Sequence, residues 1–375
     1  MIAIDLKVNV RFGRGAVAGL PDGLKALGVE RPMLLTDQTL AACGVLDRVL
    51  AAFPGNHAPA VWDRVAENPT LAGVDAAVEA CRAADADGVV ALGGGSVLDT
   101  GKAVAVCLGH GKPASHFLGR PERIGPAVAP LVALPTTAGT GSEVSPGAGI
   151  HPDATSRGQA FRSPHCRPRL AVCDPELTAT LPPLMTAATG LDALTHCVEG
   201  FLSANPNPPV EAIALDGVAR VAANVERAVG DGDDLDAREA MMMAALEGGL
   251  AIGLGLGPAH AIANTLGDQG FNHGMLVTLA MPAVIRWQAR HLPEPVARIG
   301  AALGLPDGQR GGAAVADAVA NLSARTGLPA GLRAMGYRFD DLDEIVADAT
   351  ASFFNAGCPV KPGFDDYRAM IEAAM

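Results

Sequence analysis

Apolar residues fall along this chain in two rhythms. In the first half, short apolar runs closed by Gly, Pro or Asp alternate with stretches in which apolar positions recur at helical spacing. The runs Pro32–Thr36, Gly88–Leu92, Leu131–Leu134 and Leu170–Cys173 are expected to be strands. Strand–helix alternation specifies a parallel sheet covered by helices. The last three runs pass into Gly, Pro or Asp, so each opens a loop at its carboxyl end, where open α/β sheets hold their ligands. From Leu184 onward Ala-rich helical patterns follow one another with no convincing strand. The spacing therefore predicts an α/β domain over 1–182 and an all-helical domain over 183–375, divided near Leu181-Pro182-Pro183. Within the second half, Ala204–Pro209 reads as a loop and Gly230–Asp234 as a turn.

Size and composition agree. A chain of 375 residues exceeds what one core comfortably serves. Its 49% hydrophobic and 18% charged residues fit a well-buried fold, and 45 Gly against 4% aromatics suggest tight turns and close helix contacts. The net charge of −12, with no block of Lys or Arg, argues against nucleic acid and against an anionic membrane surface. The longest apolar stretches, Ala127–Leu134 and Gly248–Gly257, are too short or too Gly-rich to span a bilayer. The N-terminus lacks a signal-peptide core, so a cytoplasmic location is expected. Seven scattered Cys without a CxxC pair point to reduced, buried thiols.

Two loops carry candidate chemistry in the first half. After Gly88–Leu92 comes Gly93-Gly94-Gly95-Ser96-Val97-Leu98-Asp99-Thr100-Gly101-Lys102. Its glycines allow a sharp turn and close ligand approach, and the free N–H groups of the following helix favour an anion such as a pyrophosphate. The competing reading is a helix start with Ser96 as N-cap and Asp99 as its reciprocal partner. The loop Leu134–Glu143 follows another strand and offers Thr136, Thr137 and Thr140 to phosphate, ribose or carboxamide, or is an ordinary polar loop. Asp37 ends a strand, where a carboxylate accepts from a ribose 2′-OH and repels a 2′-phosphate, or simply caps a helix.

In the second half, Asp192 and His196 stand four apart in Gly190–Glu199 and share a helix face. His260 and His273 lie in Gly-bounded apolar segments, where an unpartnered polar side chain is costly. One carboxylate and three imidazoles suit Fe²⁺ or Zn²⁺ better than Mg²⁺ or Ca²⁺; otherwise the two later histidines are satisfied core residues. His57, His110, His116, His151, His165 and His291 carry no spacing signal and are expected mostly at the surface.

Taken together, these segments resemble the iron-containing (group III) alcohol dehydrogenase family over nearly the whole chain. The family's GGGSxxDxxK loop stands at Gly93–Lys102, TTxGTGSE at Thr136–Glu143 and DPxLTxxLP at Asp174–Pro182. GxDAxxHxxE follows at Gly190–Glu199, GLGxxHAxxxxLG at Gly255–Gly267 and HG at His273-Gly274. The resemblance implies a dinucleotide-binding N-terminal domain and a helical metal-binding C-terminal domain, the architecture shared with dehydroquinate synthase. It maps metal ligands onto Asp192, His196, His260 and His273. Cofactor contacts map onto Asp37, Gly94, Gly95, Ser96, Asp99, Lys102, Thr136, Thr137 and Thr140, and catalytic roles onto Asp99, Lys102, His260 and His273. The implied cofactors are NAD, with NADP left open, and Fe²⁺, with Zn²⁺ left open. The implied partners are a small alcohol or aldehyde and a second subunit in a homodimer. Two departures stand out: Asn264 replaces the second His of the HAxxH segment, and the spacing on to His273 is one residue short.

The expected reaction is hydride transfer between nicotinamide C4 and a metal-polarised alcohol or carbonyl carbon. A lyase or cyclase like dehydroquinate synthase competes, as does a binding protein that lost its chemistry. Within the dehydrogenase class, maleylacetate reductase and polyol dehydrogenase remain open.

Overall fold

The computed structural model describes residues 8–55, 58–154, 156 and 158–375, which leaves His57 outside the described residues. These form two compact units: residues 8–137 with 142–180, and residues 138–141 with 181–375.

The first unit contains strands β1 (Asn9–Phe12), β2 (Pro32–Leu35), β3 (Ala60–Trp62), β4 (Gly88–Gly93), β5 (Leu131–Pro135), β6 (Gly147–Ile150), β7 (Gln159–Arg162) and β8 (Leu170–Cys173). Its helices are α1 (Leu20–Ala26), α2 (Gln38–Ala42), α3 (Val45–Leu50), α4 (Leu71–Ala83) and α5 (Gly95–His110). Six strands make one all-parallel sheet in the order β1-β8-β5-β4-β2-β3, with Leu34 opposite Val90 and Leu92 opposite Leu134. The inner strands β2, β4, β5 and β8 are buried at every residue, because helices cover both faces. Alternate side chains divide between two cores. Met33, Leu35, Val89 and Ala91 enter one, while Leu34, Val90, Leu92 and Val132 enter the other.

The four anticipated strands are thus the sheet's interior. Edge strands β1 and β3 and the antiparallel hairpin β6–β7 had no apolar run to announce them: β1 and β3 are partly exposed, and β6 is Gly-Ala-Gly-Ile. Because β2 pairs with both β3 and β4, the strand order reverses between β2 and β4. Such a switch point is where an open parallel sheet receives a ligand, beyond the strands' carboxyl ends.

The second unit is helical: α6 (Pro183–Phe201), α7 (Pro208–Gly230), α8 (Leu235–Ala251), α9 (Pro258–Thr265), α10 (His273–Gln288), α11 (Pro293–Ala302), α12 (Gly312–Arg325), α13 (Leu342–Ala351) and α14 (Phe364–Ala374). Helix α6 is buried from Thr186 through Phe201, a core helix surrounded by α7, α8 and α10. Two expected boundaries shift. Pro208 is the first residue of α7, where its missing N–H costs nothing, and Gly230 is the last, so the loop and turn are shorter than anticipated. Among the described residues no single helix is long and apolar enough to cross a membrane. All seven Cys are unpaired; six are buried as expected, whereas Cys43 is exposed.

Candidate functional site

The glycine loop leaves β4 and turns directly into α5, whose N-cap is Gly94. No side chain caps this helix, so the Ser96–Asp99 capping box weighed from the sequence does not form. Ser96 donates its hydroxyl to the Glu67 carbonyl, and Asp99 accepts from Ser142 Oγ at 2.5 Å and Gly149 N at 2.7 Å. The first N–H groups of α5 therefore remain available to an anion. Thr137 Oγ1 is buried with no hydrogen-bond partner, and a Cβ placed on Gly94 would meet Thr137 Cγ2 at 3.2 Å. Orphaned hydroxyls in protein interiors are uncommon. A polar ligand at the ends of β4 and β5 would satisfy both features, so these residues fit a dinucleotide.

Asp37 caps α2, accepting from Leu40 N at 2.9 Å. Thr136 is buried at the end of β5, while Gly94, Gly95, Ser96 and Asp37 are half-buried. Thr140 groups with the second unit.

Lys102 is fully buried, and its ammonium donates to Ser142 Oγ at 2.6 Å, Gly147 O at 2.5 Å and Ser145 Oγ at 3.4 Å. Asp99 Oδ1 lies 3.6 Å away. Burial pulls the lysine pKa down, against the opposing pull of Asp99. With its donors directed to two hydroxyls and a carbonyl, Lys102 ties α5 to the end of the hydroxyl loop and the segment that follows it.

In the second unit, one donor atom each from Asp192, His260 and His273 lies within 4.8 Å of the others. Asp192 Oδ1 is the hub: His196 Nε2 stands 3.6 Å from it and His260 Nε2 3.8 Å. Both Asp192 Oδ1 and His260 Nε2 are buried without a hydrogen-bond partner. Leaving two such groups unsatisfied in an apolar core is expensive unless something sits between them. A cation would do so, and a carboxylate with imidazoles is a donor set suited to Fe²⁺ or Zn²⁺.

The local sequence explains the convergence. His273 opens α10, and a Cβ on the next residue, Gly274, would lie 2.5 Å from the Ala188 carbonyl, so only glycine lets α10 approach α6 this closely. Gly139 does the same from the hydroxyl loop, where a Cβ would be 2.4 Å from the Thr189 carbonyl. Its own carbonyl stands 3.2 Å from His196 Nδ1. A carbonyl only accepts, so His196 carries its proton on Nδ1 and leaves Nε2 facing Asp192.

Burial pushes the Asp192 carboxyl up and the His196 imidazole down to about 3. Loss of hydration also pushes His273 down, to about 4, against the opposing pull of the Asp192 carboxylate. Both imidazoles are neutral at pH 7 and have lone pairs to give. A bound cation reverses the pressure on Asp192 by favouring its charged form.

Three features had no sequence signal of their own: the Gly139 carbonyl, the Ser142 hydroxyl on Lys102, and the ring of Phe354, 5.7 Å from that of His260. The remaining described histidines, His110, His116, His151, His165 and His291, are half-buried or exposed.

A parallel sheet with an uncapped glycine turn at its switch point, followed by a helical unit with a buried carboxylate–imidazole cluster, defines a class of metal-assisted oxidoreductases. Comparison with known proteins agrees. The model of iron-containing alcohol dehydrogenases matches residues 8–175, and that of the family's C-terminal part matches residues 186–375. A 4-hydroxybutyrate dehydrogenase from Cupriavidus necator is 42% identical over 389 aligned residues, covering 100% of both chains. Among solved structures, a 1,3-propanediol oxidoreductase superposes with a TM-score of 0.93 at 30% identity over 100% of both chains. A sulfoacetaldehyde reductase from Bifidobacterium kashiwanohense, in complex with NAD+, gives 0.89 at 27% identity, over 100% of this chain and 98% of that one. The chain belongs to the iron-containing alcohol dehydrogenase family and is an enzyme of that class, an NAD(P)- and metal-dependent alcohol dehydrogenase or aldehyde reductase. The lyase alternative is not favoured, because family models and relatives alike are dehydrogenases or reductases.

Proposed function

We propose that this enzyme interconverts a short primary alcohol and its aldehyde using NAD and Fe²⁺, with Zn²⁺ able to replace iron, and that short ω-hydroxy acids are its substrate class. The metal centre rests on one observation above all: two buried, unpartnered donors, Asp192 Oδ1 and His260 Nε2, face each other with His196 and His273 beside them. The substrate class is supported by the full-length similarity to a 4-hydroxybutyrate dehydrogenase. NAD is favoured over NADP because the Asp37 carboxylate at the end of β2 repels a 2′-phosphate.

In this reading residues 1–182 bind the dinucleotide and 183–375 the metal and substrate. When bound, the ion supplies Lewis-acid polarisation of the substrate oxygen and the nicotinamide gives or takes the hydride. The chain itself supplies geometry. The N–H groups opening α5, with Gly94, Gly95 and Ser96, hold the pyrophosphate, and Thr136, Thr137 and Thr140 orient the rest of the cofactor. Asp192, His196, His260 and His273 hold the ion and serve as its donors. Asp99 and Lys102 act through position: they pin the Ser142–Gly149 segment that continues the hydroxyl loop. Asn264, four residues beyond His260 on α9, has an amide that can donate or accept but cannot titrate, so proton exchange runs through water or the cofactor ribose. A cytoplasmic homodimer completes the reading.

The test is metal-stripped protein restored with Fe²⁺ or Zn²⁺ and assayed for NADH change across alcohols, diols, ω-hydroxy acids and their aldehydes. Metal-dependent turnover that is fastest on an ω-hydroxy acid or its semialdehyde supports the proposal. Turnover confined to unsubstituted alcohols removes the substrate class, and full activity without metal removes the centre.

A further inference from the structure

Asp192, His196 and Glu199 stand four and then three residues apart on α6, which places all three on one buried face. The first two belong to the proposed centre, whereas Glu199 has been given no role. Its side chain is fully covered, and its carboxylate is saturated by donors from a different helix. Gly257 N donates to Oε2 at 2.9 Å, Ala259 N to Oε1 at 2.7 Å, and His260 Nδ1 lies 2.7 Å from Oε2. Gly257 is the N-cap of α9 and has no side chain to cap with. The carboxylate therefore does two things at once: it receives the orphan N–H groups at the start of α9 and grips the imidazole on that helix's third residue.

The grip has a chemical consequence. Both Glu199 oxygens already accept from backbone N–H groups, and an oxygen that accepts from His260 as well leaves the shared proton on Nδ1 and the Nε2 lone pair bare. Nε2 is the same buried atom that has no partner and faces Asp192 Oδ1. A neutral imidazole has one donor and one acceptor nitrogen, and whatever binds the first decides which way the second can serve.

We propose that Glu199 is a positioning residue of the metal centre, which locks His260 in the Nδ1–H form and aims its Nε2 at the ion. The proposal rests on the metal-centre reading above and extends it to a residue outside the ligand set. One face of α6 then carries two ligands together with the group that prepares a third.

Glu199→Gln keeps the shape and changes the chemistry. Its amide has one accepting oxygen and a donating NH₂. If the NH₂ takes the place of Oε2, it donates to Nδ1 and drives the proton to Nε2, which can no longer ligate, and it also faces the Gly257 N–H. If it takes the place of Oε1, it faces the Ala259 N–H, and the oxygen left for His260 is a neutral amide, a weaker acceptor than a carboxylate.

The experiment has two arms. Nitrogen-15 imidazole spectra of the metal-free wild-type protein read which nitrogen of His260 carries the proton. Calorimetric titration with Zn²⁺ then compares wild type with Glu199→Gln, the fold being checked by circular dichroism. The expected results are Nδ1–H in the wild type and, whichever way the amide faces, Zn²⁺ affinity lower by about 10- to 100-fold in the folded variant. A purely structural cap would leave the Zn²⁺ affinity unmoved. Finding Nε2–H in the wild type, or equal Zn²⁺ affinities, overturns the proposal. If the variant does not fold, the wild-type spectrum alone decides. Wild-type protein that binds no Zn²⁺ and no Fe²⁺ instead defeats the metal centre, and the tautomer still reports on Glu199 independently.

Discussion

Among the described residues of the α/β unit, the groups left free for a ligand are backbone N–H groups at the start of α5 and the buried, unpartnered hydroxyl of Thr137. In the helical unit they are side-chain atoms of Asp192, His196, His260 and His273, gathered around a helix buried along almost its whole length. The first kind of site depends on where a strand ends and on glycines that keep the approach open. It tolerates changes that leave the backbone path intact. The second depends on particular atoms whose desolvation must be offset by one another or by an ion, so it tolerates almost none. The contrast can be tested by asking which substitutions affect metal, cofactor or stability alone.

The largest effect is expected at His260. His260→Ala removes a ligand and leaves Asp192 and Glu199 each short of a partner. It should cost at least about 10³-fold in turnover and release the metal, with helix content retained. Metal content by atomic emission alongside NADH turnover checks this, and a metal-free variant that still turns over would break the comparison.

Lys102→Met comes next. It leaves the Asp99 carboxylate without its cation and the Gly147 carbonyl without its donor, and should lower unfolding free energy by about 3 kcal/mol. Zn²⁺ affinity of the folded variant should stay as in the wild type. Denaturant midpoints and the same calorimetry separate the two, and a concurrent loss of Zn²⁺ binding would mean that the sites are not independent.

Thr137→Val should weaken NAD binding several-fold while leaving stability unchanged or raised by less than about 1 kcal/mol, since it deletes a buried hydroxyl that has no partner. NADH fluorescence titration and thermal melting report the pair of values. A clear drop in melting temperature would show that the hydroxyl is structural.

The last effect concerns neither site. Burial and the neighbouring Asp216 raise Glu247 to about 8. Because its folded pKa lies above the unfolded value, the stabilisation is complete below about pH 4.5 and is lost as pH rises through about 8. Wild type should therefore lose melting temperature from about pH 5 to about pH 9 relative to Glu247→Gln, whose profile is flatter. Parallel profiles would show that Glu247 keeps an ordinary carboxyl in the folded protein.

The chain's own pattern was readable wherever burial is complete on both faces or a polar residue breaks an apolar helix. Thus Leu131–Leu134 and Leu170–Cys173 announced inner strands, and Asp192 with His196 announced one face of α6. Edge strands β1 and β3 were not readable, because a strand half open to water has no continuous apolar run. Nor was the cap on α5: Ser96 and Asp99 have the spacing of a capping box, yet nearby Glu67, Ser142 and Gly149 offered better partners. Local residue types set the periodicity, the glycine turn and the identity of the four candidate ligands. Only the tertiary structure determined which nitrogen His196 and His260 present. That choice is made by the Gly139 carbonyl, 57 residues from His196, and by the Glu199 carboxylate, 61 residues from His260. Hydrogen bonds between groups so distant in the chain exist only after the helices have packed.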